Sequence, residues 1–343
     1  MPRVSVLITL YNKGDFVTEA VRSALASDFQ DIEVLVVDDG STDDGPEQVR
    51  AIGDPRIRLL PSPRNTGRPA AANRGFDAAL GEYIAVLDAD DAMRADRVSR
   101  QVSFLDAHPE VGIVGSSLGI MNRDEEPWNW PATDEEARGL LLFGDPVCYG
   151  TSMIRKELIT THGLRCDEAW RRPGMDYLFL LAAGAHTRFS NIMEPLTSYR
   201  IGAQNMRHGR DPVEDRAATY RAAFAHFAIP ATEGELDLQL LLHGFFRRNV
   251  DAPLVRALHD WILKLKVINK ERGLFPAEVF ERELERRWSK RFHQIADRST
   301  AAAWTHMRAS GSFPLDRLRY LAGAALRRWR GPHAALPRHE RFH

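Results

Sequence analysis

Cysteine is scarce in this chain: only Cys148 and Cys166 occur among 343 residues. That is too few for a disulfide framework, so a reducing cytosol is the expected setting and each thiol reads as a small buried hydrophobe. Long apolar runs are absent too, and none approaches the roughly 20 residues that span a bilayer. The opening MPRVSVLITLYNKGDF has too short an apolar core for a secretory leader and no small-residue cleavage pattern. Charge of one sign is lacking as well: 46 Lys and Arg face 47 Asp and Glu, a net charge of −1, which gives no bias toward nucleic acid. No internal repeat appears, and no G-x-G-x-x-G follows the first apolar run, which disfavours a dinucleotide-dependent dehydrogenase. What is present is ordinary for a globular protein, 44% hydrophobic and 27% charged, with length enough for two domains.

The chain is organised around GEYIAVLDADD, residues 81–91. Residues 83–87 read as a strand buried on both faces. Asp88, Asp90 and Asp91 follow at once. Strand alternation points Asp88 and Asp90 to one side, at the carboxyl end where open α/β sheets bind ligands. Crowded carboxylates repel one another unless a cation lies between them, and hard divalent ions prefer oxygen. The competing reading is a solvated Asp-rich turn that caps the next helix.

Apolar runs at Val4–Leu10, 32–37, Ile57–Leu60, 83–87 and 111–116 read as strands. Helical spacing at 15–26, up to 52, 69–80 and 97–108 separates them. Such alternation predicts βαβ units and a mainly parallel sheet. Trp128 and Trp130 stand in a proline-flanked loop, and Thr133-x-x-Glu136 resembles a capping box for a helix to 143. Further expectations are strands at 150–155, 189–192 and 196–201, with a helix at 176–183. From 213 onward only helical spacing remains, at 213–227, 233–248, 253–271, 277–296 and 315–330. The expected domains are thus an α/β domain over 1–212 and a helical region over 213–343. The 315–330 segment is flanked by arginines and is a candidate for membrane-surface or subunit contact.

VSVLITLYNKGDFVTEAVRSAL, VLVVDDGSTDD and NTGRPAAANRGFDAALGEYIAVLDADD together resemble the family 2 glycosyltransferases, inverting enzymes of the GT-A fold that use nucleotide-sugars. The resemblance covers about residues 3–206. It implies that Thr9 and Tyr11 line a nucleotide pocket, with Tyr11 stacking on the base. Asp39 would accept from a uracil imide N–H, which points to a UDP-sugar, and Asp38 reads as a cap. Asn65, Gly67 and Arg68 would close over base or phosphates. Asp88 would hold the ribose or a metal-bound water, and Asp90 would bind Mn²⁺ or Mg²⁺. Asp176, in RPGMDYLFLL, aligns with the general base, which takes the acceptor hydroxyl's proton.

The sequence departs from that pattern at three positions: Ala72 where relatives carry an arginine, Met175 before Asp176, and Gly202 where a metal-binding histidine is common. Arg68 or Arg64 is the candidate replacement for the first, and His208 for the last. Trp128 and Trp130 are candidates for stacking on an acceptor sugar. The expected partners are a nucleotide-sugar donor and a saccharide or glycolipid acceptor in polysaccharide assembly, in the cytoplasm or on the inner face of the membrane. A sugar-nucleotide pyrophosphorylase would want a Gly-rich basic loop after the first strand, which LYNKGDF does not supply. A non-catalytic nucleotide-sugar scaffold is the alternative that Ala72, Met175 and Gly202 favour.

Overall fold

The β-branched run VSVLITL forms β1 (Val4–Leu10) and IEVLVVD forms β2 (Ile32–Asp38), both almost wholly buried. The structure, a computed structural model, describes residues 1–202 and 210–329. Around these strands the chain adds α1 (Gly14–Leu25), α2 (Gly45–Ala51), β3 (Ile57–Leu60), α3 (Arg68–Ala78), β4 (Tyr83–Asp88), β5 (Ala92–Met93) and α4 (Arg97–Ala107). Then come β6 (Val111–Ile120), α5 (Asp134–Leu140), a 3₁₀ turn (Tyr149–Thr151), β7 (Met153–Arg155), α6 (Lys156–His162), α7 (Met175–Ala183), β8 (Arg188–Tyr199) and α8 (Pro212–His226). The eight strands lie in the order β3-β2-β1-β4-β7-β6-β8-β5. The first four are parallel, while β7 runs antiparallel to both β4 and β6.

Both faces of β1, β2 and β4 are covered, which is why these strands are mostly apolar, while edge strand β3 is half-buried. Val4, Val6, Ile8 and Leu10 of β1 share a core with Val17, Ala20 and Val21 of α1 and Val98 and Val102 of α4. Each fully buried Val, Ile or Leu among them contributes about 1.5–3 kcal/mol relative to exposure. On the other face Leu7 meets α3, where a Cβ at Gly75 would stand 2.3 Å from a Leu7 methyl. Glycine there lets the helix approach the sheet.

Past Ile120 the expectations need revision. The expected strand at 150–155 is a 3₁₀ turn followed by a three-residue strand, and the two strands near 189–201 are one, β8, with register shifts against β6. Helix α6 lay in a segment without a clear apolar period. The chain divides into units Met1–Phe227 and Ala228–His343, so the domain boundary expected near 212 falls too early. The reason is α8, which packs on α7 and whose buried Asp215 meets Arg172 and Arg210.

The second unit is helical: α9 (Glu233–His243), α10 (Ala252–Arg272), α11 (Ala277–Arg298), α12 (Thr300–Ala309) and α13 (Leu315–Trp329). Thr232 and Glu235 close a capping box at the start of α9. Trp261, Leu265, Phe280, Leu284 and Phe292 are buried in its core. His306 is also fully buried; its Nε2 lies 2.9 Å from the Trp288 carbonyl and its ring stacks on the Trp288 indole at 3.8 Å. Burial pushes the His306 pKa down to about 4. Leu321 and Ala324 turn the inner face of α13 into this unit, and Tyr320 donates to Asp297 on α11.

Candidate functional site

Parallel pairing brings the carboxyl ends of β1, β2 and β4 together, with Thr9 in register with both Val37 and Asp88 and Leu10 with Asp38. Tyr11, just past β1, is 43% exposed. Asn12 adopts a positive φ of 50° and bridges to the next loop: its side chain accepts from Thr42 N at 2.8 Å, and its own N donates to Ser41 Oγ. Asp38 accepts from Ser41 N at 3.0 Å, which ties the turn after β2 rather than capping α2, whose N-cap is Asp44. Asp39 is buried and its two oxygens are already engaged. One accepts from Thr66 N and Oγ1 at 2.8 and 2.7 Å, the other from Gly67 N at 2.8 Å. Gly40, with φ +73°, permits this closure, since a Cβ there would stand 2.4 Å from the Arg64 carbonyl carbon. Asn65 and Arg64 remain exposed on that loop.

Each carboxylate after β4 has a basic residue beside it. Arg68, at the first turn of α3, donates to Asp88 Oδ1 at 2.7 Å. Lys13 donates to Asp90 Oδ2 at 2.7 Å. Asp91 is 3% exposed and accepts from Arg200 N at 3.0 Å, while Arg200 Nε donates to the Asp90 carbonyl. Burial, then the Asp88 charge, lifts the Asp91 pKa to about 8. Behind the turn, Arg97 is fully buried, and burial lowers its pKa to about 10. Its guanidinium donates to the carbonyls of Val86, Gly150 and Ser152 and to the Gln101 side chain.

Across from Asp88, α7 places Asp176 in its first turn, half-buried and accepting from Tyr177 N at 2.9 Å. The Asp88 carboxylate first, and Asp176 as well, hold the Arg68 guanidinium above its ordinary pKa. Tyr149 lies within the same electrostatic neighbourhood, nearly fully buried, its hydroxyl facing the Cys166 thiol. Asn73 fixes the far wall: its side chain clasps Cys166 N and O and donates to Glu168 at 2.9 Å. Ala72 is buried, and the cation aimed at Asp88 comes instead from Arg68, one turn earlier on α3.

Five sequence-named groups, Thr9, Arg68, Asp88, Asp90 and Asp176, are thus gathered at one mouth. Others are not. Trp128 exchanges backbone hydrogen bonds with Leu118 and its ring tilts against Tyr199, so it belongs to the β6–β8 edge. Trp130 is half-buried in the same loop, and His208 lies outside the described residues. Sequence reasoning missed Lys13, Arg97, Arg200 and Tyr149. Lys13 sits inside the quoted LYNKGDF, but nothing local to it announces Asp90.

Among the described residues no group of three His, Cys, Asp or Glu is arranged to hold a metal. Asp88 and Asp90 still offer hard oxygen donors at one strand end. One or two carboxylates completed by substrate phosphates and water is the usual way Mg²⁺ is held, so the donor set fits a divalent ion that arrives with a diphosphate.

Residues 5–163 match the model of the glycosyl transferase family 2. The succinoglycan biosynthesis protein ExoO of Rhizobium meliloti is 35% identical over 196 residues, 53% of this chain and 56% of that protein, so this chain spans about half of that relative. The putative glycosyltransferase EpsE of Bacillus subtilis is 28% identical over 286 residues, covering 81% of this chain and 99% of its own. Among solved structures, residues 1–349 of S. aureus TarS in complex with UDP-GlcNAc superpose with a TM-score of 0.59 at 19% identity, over 91% of this chain and 93% of that one. That likeness bears on the fold, which is the expected GT-A type followed by a helical region.

Proposed function

We propose that this chain, whose residues 5–163 match the glycosyl transferase family 2 model, moves a sugar from a UDP-sugar to a saccharide or glycolipid acceptor, with inversion at the anomeric carbon. The observation that carries the reading is Arg68, a cation set between the strand-end Asp88 and the helix-borne Asp176. A phosphate-binding cation and a proton acceptor then face one another across the reacting atoms.

Tyr11 stacks on the base and Thr9 lines the floor beneath it. Asp39 would meet the uracil imide N–H through Oδ2, which accepts from Gly67 N alone and keeps a second acceptor site, so base recognition is coupled to the 64–67 loop. Asn65, Gly67 and Arg68 close over the phosphates, and Arg68 turns from Asp88 toward the diphosphate. Asp90 would bind the divalent ion, Asp88 would hold the ribose or a metal-bound water, and His208 is the candidate further ligand; when bound, Mn²⁺ or Mg²⁺ would supply positive charge to the departing diphosphate. Asp176 accepts the acceptor hydroxyl's proton as that oxygen bonds the anomeric carbon. The bond to the diphosphate oxygen breaks with its electron pair staying on the leaving group. Trp128 and Trp130 are retained as acceptor-side residues, on the rim rather than at the carboxylates.

The printed name of the Rhizobium relative, a succinoglycan biosynthesis protein, supports polysaccharide assembly as the setting. UDP as donor nucleotide is supported by the UDP-GlcNAc complex of the TarS fragment together with Asp39 at the strand end. The test is a panel of nucleotide-sugars offered with Mn²⁺ and saccharide acceptors, with the product's anomeric configuration read by NMR. Transfer from a UDP-α-sugar giving a β-linked product is expected. A retained configuration, or binding of donors with neither transfer nor hydrolysis, defeats the proposal.

A further inference from the structure

We propose that the corner between α12 and α13 docks this protein on an anionic lipid surface. Three large apolar side chains meet the solvent there: Trp304 is 45% exposed, Phe313 47% and Leu315 71%. The Trp304 and Phe313 rings lie 6.2 Å apart, so this is one patch.

The patch continues along α13. Leu315, Arg319, Ala322 and Leu326 follow at helical spacings of four, three and four, and all are exposed. The opposite side of the helix is taken. Leu321 and Ala324 are buried, Arg317 donates to Ser289 on α11, and Tyr320 and Arg327 meet Asp297. The outward stripe is therefore left over after α13 has satisfied its own unit.

Cations flank the apolar side chains. Arg308 stands one turn after Trp304 on α12, and Arg319 one turn after Leu315 on α13, both exposed. Asp316 is the acid nearest in sequence. Aromatic rings with arginines beside them suit the boundary between headgroups and acyl chains, where the rings insert shallowly and the cations meet phosphate. Stable protein partners bury about 800 Å² each, more than a corner of a few side chains offers. Shallow insertion into a bilayer asks for no more than such a corner, and no described helix is apolar and long enough to cross one.

This inference rests on the helical unit alone and does not depend on the sugar-transfer reading. The test is co-sedimentation of the full chain with vesicles of phosphatidylcholine alone or with phosphatidylglycerol added. Binding is expected only to the anionic vesicles and should be reversed by high salt. Replacing the apolar pair (Trp304→Ser with Phe313→Ser) or the cations (Arg308→Glu with Arg319→Glu) should cut partitioning at least about tenfold. All four side chains are exposed, so melting temperatures should stay near the original. Equal binding to both vesicle types, or an unchanged partition in either double variant, overturns the proposal. A concentration-dependent dimer that the apolar variant abolishes, with no vesicle binding, assigns the corner to a second copy instead.

Discussion

The Lys13 ammonium lies 2.7 Å from Asp90 Oδ2, with side chains only 19% and 10% exposed. It reaches from the loop after β1 to the carboxylate best placed to bind a divalent ion, so the two cations compete for one oxygen. Lys13→Met should tighten Mn²⁺ binding in the absence of nucleotide by about tenfold, or ~1.4 kcal/mol. Calorimetry showing equal or weaker affinity in the variant removes Lys13 as the competitor.

Asp176→Asn keeps the shape of the first turn of α7 but cannot take a proton. Turnover should fall about 10²–10⁴-fold while nucleotide affinity and melting temperature hold. A rate within a few-fold of the original makes Asp176 a structural residue only. The search then moves to Asp167 or Glu168, of which Glu168 already accepts from Asn73.

Asp39 accepts three hydrogen bonds from Thr66 and Gly67, so it fastens the loop that precedes Arg68. Asp39→Ala should cost about 1–3 kcal/mol of stability through the donors left behind. If the same carboxylate reads uracil, the variant should also narrow the preference for UDP over CDP. Equal affinity for the two in the unaltered protein would end the uridine reading without touching the fold.

His306 makes the helical unit sensitive to acid. Its pKa is about 4 when folded, against an ordinary 6.5, so the unfolded chain binds the proton more readily. The stability it contributes is whole above pH 6.5 and drains away as pH falls toward 4, by up to about 3 kcal/mol. Denaturant titrations at pH 7 and pH 4.5 should show that loss, and His306→Phe should flatten it. An unchanged slope in the variant would place the acid sensitivity elsewhere.

Much of the first unit was legible because local pattern and topology agree there. Apolar runs marked β1 to β4, and parallel pairing alone carries Thr9, Asp38 and Asp88 to one edge. The short β7 was not legible as such, because three residues hold no period, and β8 was broken in two by the proline at 195 and its register shifts. The cations on the acidic turn were hidden for another reason. Lys13 is 77 residues from Asp90 in the chain and Arg200 is 110, so no window of sequence contains either pair. Arg68 was found only because the loop around it resembles a known one. Arg97 reads as a surface residue of an amphipathic helix until the tertiary structure surrounds it with carbonyls.

That arginine also sets an order of events during synthesis. Its partners Gly150 and Ser152 lie 53 and 55 residues downstream, while Val86 is only 11 upstream. Until Ser152 has left the ribosome, a nascent chain has β4 and α4 in hand but a guanidinium with too few carbonyls to enter the core. The acidic turn therefore cannot assemble piecemeal as the chain emerges. Nascent chains stalled before that residue should remain protease-sensitive through 83–107, and those stalled well after it should be protected.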